Sequence, residues 1–129
     1  MANDQTRIRK AGAKRGEKPG EGATAMRLKN PAGKLTAMNG PAAGKVFMLD
    51  YTRVTVGRGP NNVIRLDDDY TISEHENAIF ETRGGKVVLI DGGGTNVVLL
   101  NGQEAPGEHA LKFGDLIVIG ETTLRLDPA

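Results

Sequence analysis

The chain has 129 residues, of which 38% are hydrophobic, no cysteine and a formal net charge of +1. The length predicts a single domain with a tail, and the lack of cysteine excludes disulfides, thiolate nucleophiles and cysteine-based zinc sites. No apolar run reaches the roughly 18 residues of a membrane span, and the N-terminus lacks the apolar core of a secretory signal, so we expect a cytoplasmic protein.

The charges divide the chain into two parts. Residues 1–31 contain eight basic and three acidic residues, whereas residues 32–129 contain nine basic and thirteen acidic residues. Residues 1–25 show no hydrophobic periodicity, so we predict a disordered basic tail, followed by a domain at 26–129 with its core between residues 35 and 126. Because the tail lacks aromatic residues and a known basic motif, a solvated tail is favoured over one that binds nucleic acid or lipid.

Short apolar runs separated by turn residues make up the rest of the chain. None of them has a helical period, and many end at Gly, Asn or Asp. The predicted strands are 35–38, 45–50, 54–56, 63–66, 77–82, 86–90, 97–100, 109–111, 116–119 and 122–126. This spacing favours an all-β sandwich of two sheets with antiparallel neighbours, whose loops collect at its two ends.

Two glycine-containing stretches resemble nucleotide-binding motifs but fail the required spacing. The segment 40–46 is one residue short of a phosphate-binding loop, has Val46 where Ser or Thr is needed, and precedes no predicted helix. Gly57 and Gly59 begin a Gly-x-Gly pattern, but Asn62 stands where the third glycine belongs. A bound cofactor is therefore not expected.

The sequence offers no convincing metal or catalytic centre. His75 and His109 lack ligand spacing, and the three aspartates at 67–69 lack the spaced ligands of a calcium loop, so a solvated turn is favoured there. Ser73 with the nearby His75 suggests a nucleophile and a base, but no third orienting group and no nucleophile elbow accompany them. We expect neither an enzyme nor a bound metal.

Four polar residues at predicted strand ends or in the adjacent loops form a better candidate. Arg58 follows the strand at 54–56 and offers a bidentate fork to a phosphate. Ser73 and Thr95 each offer a hydroxyl group, and Asn96 offers an amide that both donates and accepts. Taken singly, each is an ordinary turn residue, but together they predict an anion pocket.

The same residues lie in a pattern that resembles a forkhead-associated (FHA) domain. The matching motifs are Gly57-Arg58, 62–67, Ile72-Ser73, 91–96, Asn101-Gly102 and 111–120. The resemblance implies a β-sandwich of about eleven strands that reads phosphothreonine in partner proteins, as a non-catalytic adaptor in Ser/Thr kinase signalling. It also implies that Arg58 and Ser73 contact the phosphate, that Thr95 lines the same pocket, and that Asn96 holds the peptide backbone.

The rim of this predicted pocket departs from the family pattern. Its residues are Gly59, Glu74, His75 and Gly94. Counting back from Ile79 places the family's usual histidine at Glu76, with His75 one position early. Glu74 puts a carboxylate next to a doubly charged phosphate, which is repulsive. Arg58 then either holds a phosphate against this repulsion or pairs with Glu74 when no ligand is bound.

These departures leave a second class of function open. The domain is then an FHA-fold scaffold that binds a protein partner without phosphate, with Glu74 and Glu76 meeting basic groups of that partner. This alternative predicts that Arg58→Ala leaves partner capture unchanged, whereas Glu74→Lys weakens it.

The tail suggests a further partner for the pocket. Thr6 and Thr24 lie in basic surroundings, as many kinase sites do. If either is phosphorylated, it can fold back into the domain's own pocket, because a tethered segment has an effective concentration of about 1 mM. The expected partners are therefore a phosphothreonine protein or peptide and the chain's own phosphorylated tail.

Overall fold

A computed structural model describes residues 25–94 and 96–129. Thr95 and nearly all of the predicted tail therefore lie outside the described residues. The described part contains eleven strands, which are β1 (Lys34–Asn39), β2 (Val46–Met48), β3 (Arg53–Gly57), β4 (Ile64–Arg65), β5 (Ala78–Arg83), β6 (Lys86–Asp91), β7 (Leu99–Leu100), β8 (Gln103–Glu104), β9 (Glu108–Ala110), β10 (Leu116–Ile119) and β11 (Thr122–Asp127). No helix in this part of the chain is long and apolar enough to cross a membrane.

The strands form two sheets, which confirms the predicted all-β sandwich. One sheet orders six strands as β2-β1-β11-β10-β7-β8, and the other orders five as β4-β3-β5-β6-β9. All pairings are antiparallel except that of β3 with β4, which is parallel, with Val56 opposite Ile64. The antiparallel expectation fails for this pair because the segment 58–63 takes the chain around a complete loop instead of a hairpin.

Inward-facing side chains of both sheets fill the space between them. On β11 buried and half-buried residues alternate along the whole strand, so Leu124 and Leu126 enter the core while their neighbours do not. Leu35 of β1 and Phe80 of β5, from the other sheet, belong to the same core cluster. Each such burial contributes roughly 1.5–3 kcal/mol of transfer free energy, and this packing holds the loop ends in place.

Four connections meet at one end of the sandwich. They are the loop after β3 (58–63), the β4–β5 connection (66–77), the β6–β7 connection (92–98) and the β10–β11 turn (120–121). Backbone hydrogen bonds join the first two, from Arg58 N to Ser73 O at 2.8 Å, and join the second and third, from Gly92 N to Asn77 O at 3.1 Å. The predicted site residues lie in this group of loops.

The first described residues lie at the other end of β3. Met26 N donates to Thr52 Oγ1 at 2.9 Å, and Thr52 N donates to Met26 O at 2.8 Å. Since Thr52 immediately precedes β3 and Arg58 immediately follows it, the length of that strand separates Met26 from Arg58.

Candidate functional site

Arg58 follows β3 at the loop end of the sandwich, and hydrogen bonds hold both its backbone and its side chain there. Its Nε donates to Ile72 O at 3.2 Å, and its guanidinium carbon lies 6.0 Å from the centroid of the Tyr70 ring. The two terminal nitrogens form no hydrogen bond or ion pair with any residue in 25–94 or 96–129. Within this part of the chain the alternative of an Arg58–Glu74 ion pair is therefore wrong, and the fork remains available to an anion.

The glycines on either side of Arg58 are required by close backbone contacts. A Cβ at Gly57 would collide with His75 O and with the Asn62 side chain, and one at Gly59 would lie 2.6 Å from Glu74 O. The end of β3 therefore runs directly against the backbone of residues 73–75. This contact explains why glycines flank Arg58 in the sequence, and it fixes the position of the Arg58 Cα.

Ser73 is positioned by Asn77, a residue that the sequence analysis did not single out. Asn77 is fully buried, and its Oδ1 accepts a hydrogen bond from Ser73 N at 2.8 Å. Its Nδ2 donates to Asn96 O at 3.5 Å, so one amide joins the loops that carry Ser73 and Asn96. Glu76, the position that the FHA resemblance gives to the family's histidine, is half-buried, and the neighbouring Asn77 makes these buried contacts.

Asn96 lies beside the same group and is bonded to the β4–β5 connection. Its Nδ2 donates to Thr71 O, and the residue is exposed. A Cβ at Gly94 would lie 2.7 Å from Asn77 Cγ. The FHA resemblance implies a serine where Gly94 stands, and a serine cannot occupy that position unless Asn77 moves, which accounts for the departure from the family pattern. The structure thus brings Arg58, Ser73 and Asn96 together, while Thr95 lies outside the described residues.

Glu74 lines two open depressions. The depression around Arg58 has a volume of about 610 Å³, and its lining residues are Arg58, Tyr70, Thr71, Ile72, Ser73, Glu74 and Asn96. The second has about 830 Å³ and is lined by Gly59, Pro60, Asn61, Asn62, Glu74, His75 and Glu76. The Glu74 side chain is exposed, whereas its carbonyl accepts hydrogen bonds from Gly59 N at 2.9 Å and from Asn62 Nδ2 at 3.0 Å.

Two other residues of the β4–β5 connection were missed by the sequence analysis. Tyr70 is 79% exposed at the edge of the Arg58 depression, and Asp69 is only 2% exposed. The interpretation of 67–69 as a solvated turn is therefore wrong for Asp69, although Asp67 and Asp68 are exposed. Burial alone would raise the pKa of Asp69, but hydrogen bonds from Thr71, Thr122 and the Glu121 backbone hold that pKa below its usual value.

Two sheets with this strand order, and a group of polar side chains at one loop end, define an FHA-type β-sandwich. A solved FHA domain of a hypothetical protein from Arabidopsis thaliana superposes with a TM-score of 0.70 at 26% identity, covering 83% of this chain and 93% of that one. A domain solved in a study described as "Structural and functional analysis of phosphothreonine-dependent FHA domain interactions" superposes at 0.67 with 24% identity, over 75% and 96% of the two chains.

Sequence comparison identifies the family to which the chain belongs. Residues 36–129 match the family model described as "Inner membrane component of T3SS, cytoplasmic domain", and the chain belongs to this FHA-like family. The "Oxoglutarate dehydrogenase inhibitor" of Corynebacterium diphtheriae is 37% identical over 93 residues, which is 72% of this chain and 63% of that protein. The chain thus spans a little under two thirds of the length of that relative.

Proposed function

We propose that the domain at 26–129 is a phosphothreonine-peptide binding module, which acts as a non-catalytic adaptor in Ser/Thr kinase signalling in the cytoplasm. The observation that carries this proposal is the Arg58 guanidinium. Its Nε is held by Ile72 O at 3.2 Å, and its terminal nitrogens have no acceptor among the described residues. A fork held in this way is suited to bidentate contact with a phosphate.

The other pocket residues complete the proposed recognition. Ser73 lies beside Arg58 in the same depression and supplies a hydroxyl donor to the phosphate. Thr95 is proposed to line the same pocket, and Asn96 to hold the peptide backbone next to the phosphothreonine. The phosphate is thereby bound by one cation and two hydroxyl groups, which favours phosphopeptides over unphosphorylated ones.

The comparisons support this proposal. One superposed domain comes from work on phosphothreonine-dependent FHA interactions, and the curated relative is named as an inhibitor of oxoglutarate dehydrogenase. Inhibition of an enzyme by a protein of this family requires a binding surface but no catalysis by the inhibitor. We therefore propose that this chain, too, regulates a target protein by binding it.

The tail remains a proposed partner, and the structure favours Thr6 over Thr24. Arg58 lies six strand positions from Thr52, about 20 Å at roughly 3.3 Å per residue. Thr24 is only two residues from Met26, which is bonded to Thr52, and so reaches only about 7 Å. Thr6 is twenty residues from Met26, a reach of up to about 70 Å, and can enter the chain's own pocket.

The tail proposal is tested with the 129-residue chain phosphorylated at one threonine. We expect phosphorylation at Thr6 to weaken binding of an added phosphothreonine peptide, because the two compete, whereas phosphorylation at Thr24 has little effect. Equal affinities for the Thr6-phosphorylated and unmodified proteins would contradict autoinhibition by this tail.

Phosphate recognition is tested by fluorescence polarisation with a phosphothreonine-peptide library. Arg58→Ala is expected to lower affinity at least about tenfold, because it removes the charged fork. Arg58→Lys keeps the charge but loses the fork and should restore only part of the affinity. Arg83→Ala removes the same charge from an exposed site bonded to Glu81 and Glu108 and should bind like the wild type. Equal binding by Arg58→Ala and wild type, or by phosphorylated and unphosphorylated peptides, would overturn the proposal.

A further inference from the structure

The buried carboxylate of Asp69 joins two loops that are far apart in sequence. Its Oδ1 accepts hydrogen bonds from Thr71 N at 3.0 Å and from Thr71 Oγ1. Its Oδ2 accepts from Glu121 N at 3.0 Å and from Thr122 Oγ1 at 2.8 Å. One oxygen is therefore bound to the β4–β5 connection and the other to the β10–β11 turn.

Gly120 shows how closely these two loops pack. It has a φ of +60°, and a Cβ there would collide with Thr71 Oγ1 and lie 2.8 Å from Ile72 Cγ1. Thr122, which follows in β11, is fully buried. Residues 69–72 thus pack against the β10–β11 turn, and the Asp69 carboxylate links the two segments by hydrogen bonds.

The residues that directly follow Asp69 each hold a part of the candidate pocket. Thr71 O accepts from Asn96 Nδ2, Ile72 O accepts from Arg58 Nε at 3.2 Å, and Ser73 O accepts from Arg58 N at 2.8 Å. These acceptors are backbone carbonyls, so their positions follow the path of the chain. A shift of the backbone at Thr71 would move the acceptors of both Asn96 and Arg58.

We propose that Asp69 is a positioning residue of the pocket. Its hydrogen bonds hold residues 71–73 against the β10–β11 turn and thereby set the positions of Arg58, Ser73 and Asn96. This inference rests on the proposed phosphopeptide function for its effect on affinity, but its structural part does not. Asp69 lies outside the lining of the Arg58 depression and acts only through the backbone that it holds.

The first test compares Asp69→Asn with Asp68→Asn in the full chain. Both substitutions remove one negative charge from adjacent positions, but Asp68 is exposed. Asp69→Asn replaces one acceptor oxygen by an amide nitrogen that cannot accept, so affinity for a phosphothreonine peptide should fall about tenfold. Asp68→Asn should stay within about twofold of wild type. Equal affinities for the two variants would overturn the inference.

The second test separates positioning from general stabilisation. Thr122→Val removes a donor to Asp69 on the side remote from the ligand, and Thr122→Ser keeps it. Measured well below each variant's melting temperature, affinity should fall in Thr122→Val and recover in Thr122→Ser. A lower melting temperature of Thr122→Val with wild-type affinity would show that Asp69 only stabilises the fold.

The third test does not depend on ligand binding. In amide chemical-shift spectra of the unliganded Asp69→Asn protein, we expect shifts at Arg58, Ser73 and Asn96 as well as at the substitution. Changes confined to residues 68–71 and 120–122 would overturn the inference. If these shifts occur but wild-type protein shows no Arg58-dependent phosphopeptide binding, the proposed function fails while the positioning role stands.

Discussion

The candidate pocket has an inner layer and an outer layer, which differ in burial and in their contacts with neighbouring loops. The inner layer (Gly57, Asp69, Asn77) is buried, and each member touches a second loop directly. The outer layer (Tyr70, Glu74) is exposed, and its side chains are not fixed by hydrogen bonds within the described residues. The inner layer therefore decides whether the loops meet, and the outer layer decides which charges a ligand encounters.

This difference between the layers predicts which substitutions should change both stability and ligand affinity, and which should change affinity alone. A change in the inner layer leaves a buried polar group unpaired or forces two backbones apart, so it should lower both stability and affinity. A change in the outer layer alters only solvated side chains, so it should change affinity at nearly constant stability. The following predictions test this separation, beginning with the largest expected effect.

The largest effect is expected for Gly57→Ala. A Cβ at this position collides with the backbone carbonyl of His75, which cannot rotate away as a side chain can. We expect the free energy of unfolding in urea to fall by about 3–5 kcal/mol. The control is Gly84→Ala, where the Cβ meets open space and only the φ of +57° is unfavourable, at a cost of about 1–2 kcal/mol. A loss no larger than that of Gly84→Ala would mean that the strand end and the 73–75 backbone are not in contact.

A smaller loss is expected for Asn77→Ala. It removes the acceptor of Ser73 N, which is bonded at 2.8 Å, and leaves a buried cavity. We expect a loss of about 2 kcal/mol in unfolding free energy together with at least about tenfold weaker phosphopeptide binding. Asn61→Ala, an exposed amide in the neighbouring loop, serves as the control. A variant that is less stable but binds normally would show that Asn77 supports the fold and not the pocket.

The pH dependence of stability tests the buried carboxylate of the inner layer. Because the folded pKa of Asp69 is lowered, its contribution is present above the unfolded pKa, about 3.9, and is lost as pH falls through the lower folded pKa. The pKa values of Asp115, Glu108 and Asp127 are lowered as well, so these carboxylates also contribute to the fall of wild-type stability in acid. Asp69→Asn should be less stable at neutral pH and should lose less on acidification. Parallel wild-type and Asp69→Asn curves would contradict this assignment.

The inner layer marks the limit of what the sequence predicts. Most strands were predictable because short apolar runs are separated by turn residues, and in β1 and β11 burial also alternates with a period of two. The grouping of Arg58, Ser73 and Asn96 was predictable from the FHA resemblance. Asp69 was not, since three consecutive aspartates look alike until one of them meets Thr122, fifty-three positions later. Asn77 offered only the weak signal of a polar residue at the start of an apolar strand. The parallel β3–β4 pair was missed because loop length alone does not reveal the path of the loop.

The smallest effect, and the sharpest test of the outer layer, is expected for Glu74→Gln. The Glu74 carboxylate borders the Arg58 depression and repels a phosphate through solvent, so its removal should improve phosphothreonine-peptide affinity about two- to fivefold. The gain should shrink as salt concentration rises, because exposed charges are screened. Unfolding free energy should stay within about 0.5 kcal/mol of wild type, since the fold uses the Glu74 carbonyl and not its side chain.

The matched control for Glu74→Gln is Glu104→Gln, an exposed carboxylate on β8 that lies outside the lining of both depressions. If both variants gain equally, the effect reflects net charge and not the rim. If Glu74→Gln instead weakens binding, the ligand uses this carboxylate, and the peptide must carry a basic residue beside its phosphothreonine. Repeating the titration with arginine placed on either side of the phosphothreonine distinguishes these cases, because only a ligand paired with Glu74 loses its preference for arginine in the Gln variant.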